Sequence, residues 1–154
     1  MKQAARQLAL PVSSRPVTTA EDLVDFKKLL DQAGLPVSDI GQRGQFLFLF
    51  SNGNNIVGTG GYERHSDAAL IRSISVTPQE QGNGYGRIIV TDLMKMAHST
   101  GAGSAYLLTT SASEFFAAMG FRKIERHQAP DAIRSSTEFS SVCPASAVLM
   151  HRVF

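Results

Sequence analysis

The chain has a single cysteine, Cys143, in 154 residues. An internal disulfide is therefore impossible, and a reducing compartment is expected. No stretch approaches the roughly 18 apolar residues of a membrane-crossing helix, so no membrane partner is expected. The opening MKQAARQLALPVSSRP holds only a short, broken apolar run, LALPV. That run lacks the length of a secretory signal core, and a cytoplasmic protein is the expectation. Fifteen basic residues stand against thirteen acidic ones, for a net charge of +2, and no basic block stands out. Nucleic acid is not the expected partner. Internal repeats and low-complexity tracts are absent, and no metal is expected.

What is present fits an ordinary globular chain: 43% hydrophobic and 18% charged residues. The length suits one domain with a real core. Residues 1–14 read as a tail or an added edge strand, and 15–154 as a single domain.

Thr18 or Thr19 opens a helix over TTAEDLVDFKKLLDQAG, with Thr18 and Glu21 at capping-box spacing. Leu23, Phe26, Leu30 and Ala33 share one helical face, and Gly34 is placed to stop it. LPVSDIGQRG reads as a turn or a second small helix. QFLFLFS and IVGTGGYE read as strands around the hairpin signal NGNN. RHSDAA turns again, into the strand LIRSISV. A helix over Arg87–Ser99 follows, then a strand AYLLTT, a short helix SASEFFAAM, with Ser111 or Ser113 as its cap, and a strand FRKIER. PDAIRSSTEF holds one helical turn, and SAVLMHRVF closes as a strand. An antiparallel meander feeding one crossover gives a mixed sheet in an α/β or α+β layered fold.

The stretch QGNGYGR places three glycines within five residues, between the LIRSISV strand and the Arg87–Ser99 helix. A loop that opens a helix after a strand is an anion site, because free N–H groups and the positive helix end converge there. Glycines let the backbone curl into a nest that a phosphate can approach. The phosphate class is narrower. Gly86 is followed by Arg87 and Ile88 rather than Lys-Ser/Thr, so the loop is not a Walker A motif. The spacing G-x-G-x-G also departs from the Rossmann fingerprint.

The segment Gln81-x-x-Gly84-x-Gly86, preceded by SVTPQE and followed by an amphipathic helix, resembles the acyl-CoA pyrophosphate loop of the Gcn5-related N-acetyltransferase (GNAT) superfamily. FFAAMGF, over Phe115–Phe121, resembles that family's second signature. The resemblance covers the chain from about Arg15 onward. It implies a mostly antiparallel mixed sheet with helices on both faces, splayed between the fourth and fifth strands. It implies acetyl-CoA as the cofactor, with Ile74, Ser75 and Val76 along the pantetheine arm. Gln81, Gly82, Asn83, Gly84, Tyr85, Gly86 and Arg87 would hold the pyrophosphate. Thr109 and Phe116 would lie beside the cofactor.

In the reaction so implied, an amine attacks the thioester carbonyl and a thiolate leaves. The Val76 N–H would meet the developing oxyanion, and a base must take the amine's proton. The chain departs from the family twice. Phe116 stands where many members carry a proton-donating tyrosine, at the end of a pattern matched here by Thr109 and Ala112. Leu70 stands at the position of the strand glutamate of histone-acetylating members. Glu63, acting through water, is the expected base, with His65 the other candidate. Arg72 alternates with Ile71 and Ser73 and suits an anionic group on the acceptor.

IRSSTEFSSVCPASAVLM (Ile133–Met150) resembles a bacterial subgroup associated with arsenic-resistance operons or amino-acid acetylation. There Arg134, Ser135, Glu138 and Cys143 are acceptor-wall candidates. Cys143 has no histidine or helix N-terminus readable nearby, which argues against a nucleophile. The leading expectation is acetyl-CoA-dependent N-acetylation of a small, amino-acid-like amine. The alternatives are a protein-amine acetyltransferase and an acyl-CoA sensor without turnover, and the resemblance also points to a homodimer.

Overall fold

The computed structural model describes residues 11–154, so most of the expected N-terminal extension lies outside the described residues. The first strand, β1 (Ser13–Pro16), pairs antiparallel with β2 (Gln45–Asn52) at the edge of the sheet. Between them runs helix α1 (Ala20–Gln32), which buries Phe26 and Leu30. Its N-cap is Thr19, whose hydroxyl accepts the Asp22 N–H at 3.0 Å. The Thr18–Glu21 spacing therefore does not form the expected capping box. Sheet pairing continues to Val17, whose N–H donates to the Leu47 carbonyl at 2.8 Å, so the chain first turns one residue later. At the other end Leu35 N–H reaches the Leu30 carbonyl and Gly34 N–H the Asp31 carbonyl. That is a Schellman closure, with Gly34 at φ +73°. The following segment is a turn, without a second helix.

β2, β3 (Asn55–His65) and β4 (Ala68–Val76) form the meander. Alternation divides β2 between two faces: Leu47 and Leu49 pack with α1, while Phe50 packs with the opposite layer. Helix α2 (Tyr85–Ser99) crosses to β5 (Ser104–Thr109) and buries Ile89, Val90, Leu93, Met94 and Ala97 at helical spacing. A Cβ on Gly58 would lie 2.3 Å from the Ser75 carbonyl and 2.7 Å from Ile89 Cδ1, and one on Gly60 2.6 Å from Leu93 Cδ1, so these two glycines let α2 lie close on the sheet.

Helix α3 (Ser113–Ala118), β6 (Arg122–Ile124), α4 (Asp131–Arg134), a π-type turn (Glu138–Val142) and β7 (Val148–Val153) complete the chain. Ala112, rather than Ser111 or Ser113, stands at the α3 N-cap. The PDAIRSSTEF region holds α4 and the start of the π-type turn, one helical turn more than the sequence suggests.

Among the described residues seven strands order as β1-β2-β3-β4-β5-β7-β6, with β4–β5 pairing parallel. α2 and α3 cover one face of this mixed, mostly antiparallel sheet. α1 and the α4 region cover the other.

Candidate active site

β4 and β5 pair only over Ala68–Leu70 and Ser104–Tyr106. From Ile71 onward the two strands part, and a cavity of about 950 Å3 opens between them. Its walls are β4 from Ile71 to Val76, β5 and the following loop from Leu107 to Ala112, the α1–β2 loop, and the segment after α4.

The β4 wall is bent at a bulge. Thr59 pairs with Ser75 and Gly61 with Arg72, so Ser73 and Ile74 face the single residue Gly60. Ser73 sits at φ +61°. This is an unusual backbone for serine, and buried hydroxyls hold it. Thr59 is fully buried, and its Oγ1 donates to the Ser73 carbonyl at 2.8 Å. That bond uses the threonine proton, so Ser75 Oγ donates back to Thr59 Oγ1 across 2.7 Å. Beyond the bulge, Ile74, Ser75 and Val76 line the gap that β5 has vacated.

At the end of β4 the chain passes a short 3₁₀ turn, Pro78–Glu80, and enters the glycine loop. Gly82 and Gly84 take φ +84° and +87°, and a Cβ on either would stand in open space. Gly84 is the N-cap of α2, and the first intrahelical bond runs from Ile88 N–H to its carbonyl. The N–H groups of Gly84, Tyr85, Gly86 and Arg87 therefore have no partner within the helix. The nest is anchored from below. The Tyr85 ring is buried, its hydroxyl accepting from Asn52 Nδ2 at 2.8 Å, and Asn55 Nδ2 donates to Glu80 at 3.0 Å. Gln81 Nε2 reaches the Val76 carbonyl at 3.2 Å. Arg87 and Asn83 are exposed. A Cβ on Gly86 would come within 3.3 Å of Phe115 Cζ, so α3 closes directly on the start of α2.

Phe116 is buried against Phe121 and also lines the cavity. Thr109, a cavity-lining residue, accepts the Ala112 N–H on its Oγ1 at 3.0 Å and so shapes the turn into α3.

The inner end of the cavity is charged. Arg72 has no exposed side-chain surface. Its Nη1 donates to Asp39 Oδ2 at 2.6 Å and Glu63 Oε2 at 2.7 Å, its Nη2 to Asp39 Oδ1 at 2.8 Å, and its Nε to Ser73 Oγ at 3.1 Å. Of its five N–H groups, one on Nη2 is left. Besides Asp39, that nitrogen has Glu138 beside it, with Oε1 at 3.6 Å. Burial disfavours the guanidinium charge, but the Asp39 hydrogen bond and the surrounding carboxylates hold its pKa above the ordinary value.

Glu63 lies behind this layer and outside the cavity lining. Its other oxygen meets His65 Nε2 at 2.7 Å. Burial alone would raise the Glu63 carboxyl, but the hydrogen bonds to His65 and Arg72 outweigh it and hold its pKa down. Glu138 differs. It is buried, lines the cavity, and its Oε2 has no hydrogen-bond partner. Burial pushes its carboxyl up to about 7 against the pull of Arg72. Burial, with the Glu138 charge adding, likewise pushes the neighbouring Cys143 thiol up to about 12, so it is neutral at physiological pH.

The structure thus gathers Arg72, Ile74, Ser75, Val76, Gln81, Gly86, Thr109, Phe116, Glu138 and Cys143 around one cavity. Arg134 and Ser135 are exposed and outside it. The Arg134 guanidinium pairs with Asp131, and Ser135 donates to the Asp131 carbonyl. Asp39 and Thr59 belong to the site without having been singled out in the sequence. Thr59, flanked by glycines in GTGG, carried a weak signal. Asp39, in a turn 33 residues from Arg72, carried none.

Comparison with known proteins adds three findings. Residues 42–123, more than half of the chain, match the model of a family described as the acetyltransferase (GNAT) domain. Among curated proteins, the chain is 33% identical over 67 residues to the uncharacterized N-acetyltransferase CgeE of Bacillus subtilis (42% of this chain, 26% of that protein). It is 27% identical over 88 residues to an amino-acid acetyltransferase of Neisseria meningitidis (57% and 20%). The aligned segments thus span about a quarter or less of these relatives. Among solved structures, N-acetylglutamate synthase of Neisseria gonorrhoeae, complexed with coenzyme A and N-acetyl-glutamate, superposes with a TM-score of 0.74 at 19% identity. That match covers 93% of this chain and 35% of the other, and shows a likeness of fold.

Proposed function

The chain belongs to the acetyltransferase (GNAT) domain family, and from that premise we propose that it moves the acetyl group of acetyl-CoA onto the amine of a small, amino-acid-like molecule. One observation carries the reading. The cavity at the β4–β5 splay is continuous with a nest of unpaired N–H groups at the start of a fifteen-residue helix. A diphosphate fits that nest, because Gly82 and Gly84 leave open space where side chains would stand. When bound, acetyl-CoA supplies the activated thioester. The chain's residues then position and polarise. The Gln81–Arg87 loop would hold the phosphates, and the bulged Ile74–Val76 backbone would offer its polar groups to the pantetheine amides. The Val76 N–H would be the donor to the thioester oxygen. In this reading residues 15–154 form the catalytic unit.

Amino-acid likeness of the acceptor is supported by the name of the Neisseria meningitidis relative. Association with arsenic resistance rests on the Ile133–Met150 segment alone. The test is release of CoA thiol from acetyl-CoA, assayed against free amino acids, amino-acid-like phosphinic and arsenical compounds, polyamines and a lysine peptide. Release with one small amine is expected. Silence across the panel, with acetyl-CoA still raising the melting temperature, would instead favour a binding module.

A further inference from the structure

We infer that Glu138 receives the acceptor's ammonium group, binding it as a cation and taking its proton before acyl transfer. This inference rests on the acetyl-transfer reading above. Its geometry is independent of the cofactor loop.

The Glu138 side chain is 7% exposed, and its Oε2 has no hydrogen-bond partner. Buried carboxylate oxygens are rarely left unpaired, and each such case calls for an explanation such as a catalytic role or a bound ion. The residue lines the same cavity as Ser75, Val76 and Cys143, so a donor can reach it from the side where the thioester is expected. The cation already present cannot be that donor. Arg72 spends four of its five N–H groups on Asp39, Glu63 and Ser73, and it stands 3.6 Å from Glu138 Oε1. Three carboxyl groups thus converge on one guanidinium. The groups that face Glu138 are Arg72 from β4, Glu63 from β3, Asp39 from the α1–β2 loop and the neutral thiol of Cys143 beside it. A primary ammonium brings both the charge and the hydrogen bonds that this corner lacks.

The same arrangement argues against Arg72 as the anchor of an acceptor carboxylate. Such a carboxylate would meet an occupied guanidinium and a ring of like charges. The acceptor's amino end therefore enters first, and any acidic group it carries points outward.

The step balances simply. Glu138 takes one proton from R–NH3⁺ and leaves R–NH2. The nitrogen lone pair attacks the thioester carbon, the new N–C bond forms, and the C–S bond breaks. The second proton shed by nitrogen ends on the departing sulfur, giving the CoA thiol and the amide. Glu138 then returns its proton to solvent. A carboxyl held near 7 is matched to this task at neutral pH.

Glu138→Gln tests the inference. Wild type and variant are melted with and without acetyl-CoA, and CoA release is followed over pH with the amines that wild type accepts. The expected result is equal stabilisation of both proteins by acetyl-CoA. With it should come a loss of about 10²–10⁴-fold in kcat for the variant and disappearance of the wild-type inflection near neutral pH. A second readout needs no turnover. The Glu138 δ-carboxyl ¹³C resonance, assigned by its loss in E138Q or E138D, is followed during titration with ethylamine and glycinamide. A saturable shift supports the ammonium site. A resonance that neither amine moves, or E138Q turning over within about threefold of wild type, overturns it. If the resonance moves but wild type acetylates nothing, the ammonium site stands and the acetyl-transfer reading falls.

Discussion

Replacing Arg72 with methionine removes the one cation that three buried carboxyl groups share, while roughly keeping the volume. The guanidinium makes a bidentate contact with Asp39, a bond to Glu63 and a bond to Ser73 Oγ, and its own side chain has no solvent exposure. Breaking a buried pair by removing one partner costs about 3–5 kcal/mol. In a chain of this size each kcal/mol moves the melting temperature by about 2–4 °C, so Arg72→Met should melt about 6–20 °C below wild type. From a mid-range domain stability of about 10 kcal/mol, such a loss leaves the variant folded at room temperature.

The pH dependence of that deficit has a definite sign. Glu63 has a folded pKa below its ordinary value, so its contribution is present above that value and lost as pH falls through the folded pKa. Glu138 has a folded pKa raised to about 7. Its carboxyl favours the folded state fully below its ordinary pKa, and that advantage, about 3 kcal/mol, is lost as pH rises toward 7. Arg72 opposes the Glu138 shift and sustains the Glu63 one. Without it both carboxyls are free to take up protons, and doing so relieves the uncompensated charge. Thermal melts followed by circular dichroism should therefore show the largest deficit near pH 8 and a smaller one near about pH 5.5. A second substitution, Asp39→Asn, should narrow the gap further. A variant melting within about 2 °C of wild type near pH 8, or a deficit growing toward acid, would refute this account of the cluster.

Gly84→Val should act through the backbone alone, because φ is +87° and an added Cβ has no neighbour within 4 Å. A cost of about 1–2 kcal/mol is expected, together with loss of the thermal shift that acetyl-CoA gives wild type. A preserved shift would remove the loop from phosphate binding. Thr59→Val deletes the donor to the Ser73 carbonyl and the partner of Ser75 Oγ. It should cost about 1–3 kcal/mol and lower kcat more than it weakens acetyl-CoA affinity, as stopped-flow binding beside steady-state assays would show. Unchanged kcat would mean that the bulge does not aim Val76. For Cys143→Ser, turnover within about tenfold of wild type is expected and iodoacetamide should modify the native thiol slowly at neutral pH, since the thiol is held protonated. A loss of 10³-fold or more on the scale of a missing nucleophile would contradict that.

Local pattern made most of the scaffold legible. The β2 alternation, the i, i+3, i+4 spacing in α2 and the Gly34 stop are short-range signals, and each element stands where its pattern points. The glycine loop was legible because its requirement is also local: a nest at a helix start needs positive φ. What stayed hidden depends on distant neighbours. The β3 glycines read only as weak strand positions, while the reason for Gly58 and Gly60 is the close approach of Ile89 and Leu93 from α2, and for Gly61 that of Leu47 and the Phe46 carbonyl from β2. Thr18 had the better cap spacing, but edge pairing at Val17 shifted the cap to Thr19. Arg72 looked like a strand charge free to meet a substrate. Its engagement follows from Asp39, brought to it by a turn that carried no charge pattern of its own.

The two departures from the family pattern make chemical sense together once Glu138 is in view. With Phe116 lining the cavity, no phenol at that position can protonate the departing sulfur. A thiol with an ordinary pKa of about 8.5 leaves as thiolate near neutral pH with little help. The amine is the harder partner, because an amine is protonated near neutral pH and must lose that proton before it can attack. Leu70, which the family resemblance sets at the position of a strand glutamate, carries no carboxylate and is packed in the core. Glu63 is on a neighbouring strand but is tied to Arg72 and His65. Glu138 arrives instead from the segment before β7 and occupies the same corner from the opposite wall. Fixing one carboxylate with arginine leaves the other free to titrate, since the guanidinium has no well-placed donor to spare for it. The demand for a base is thereby met by position in space, while the position in sequence has changed.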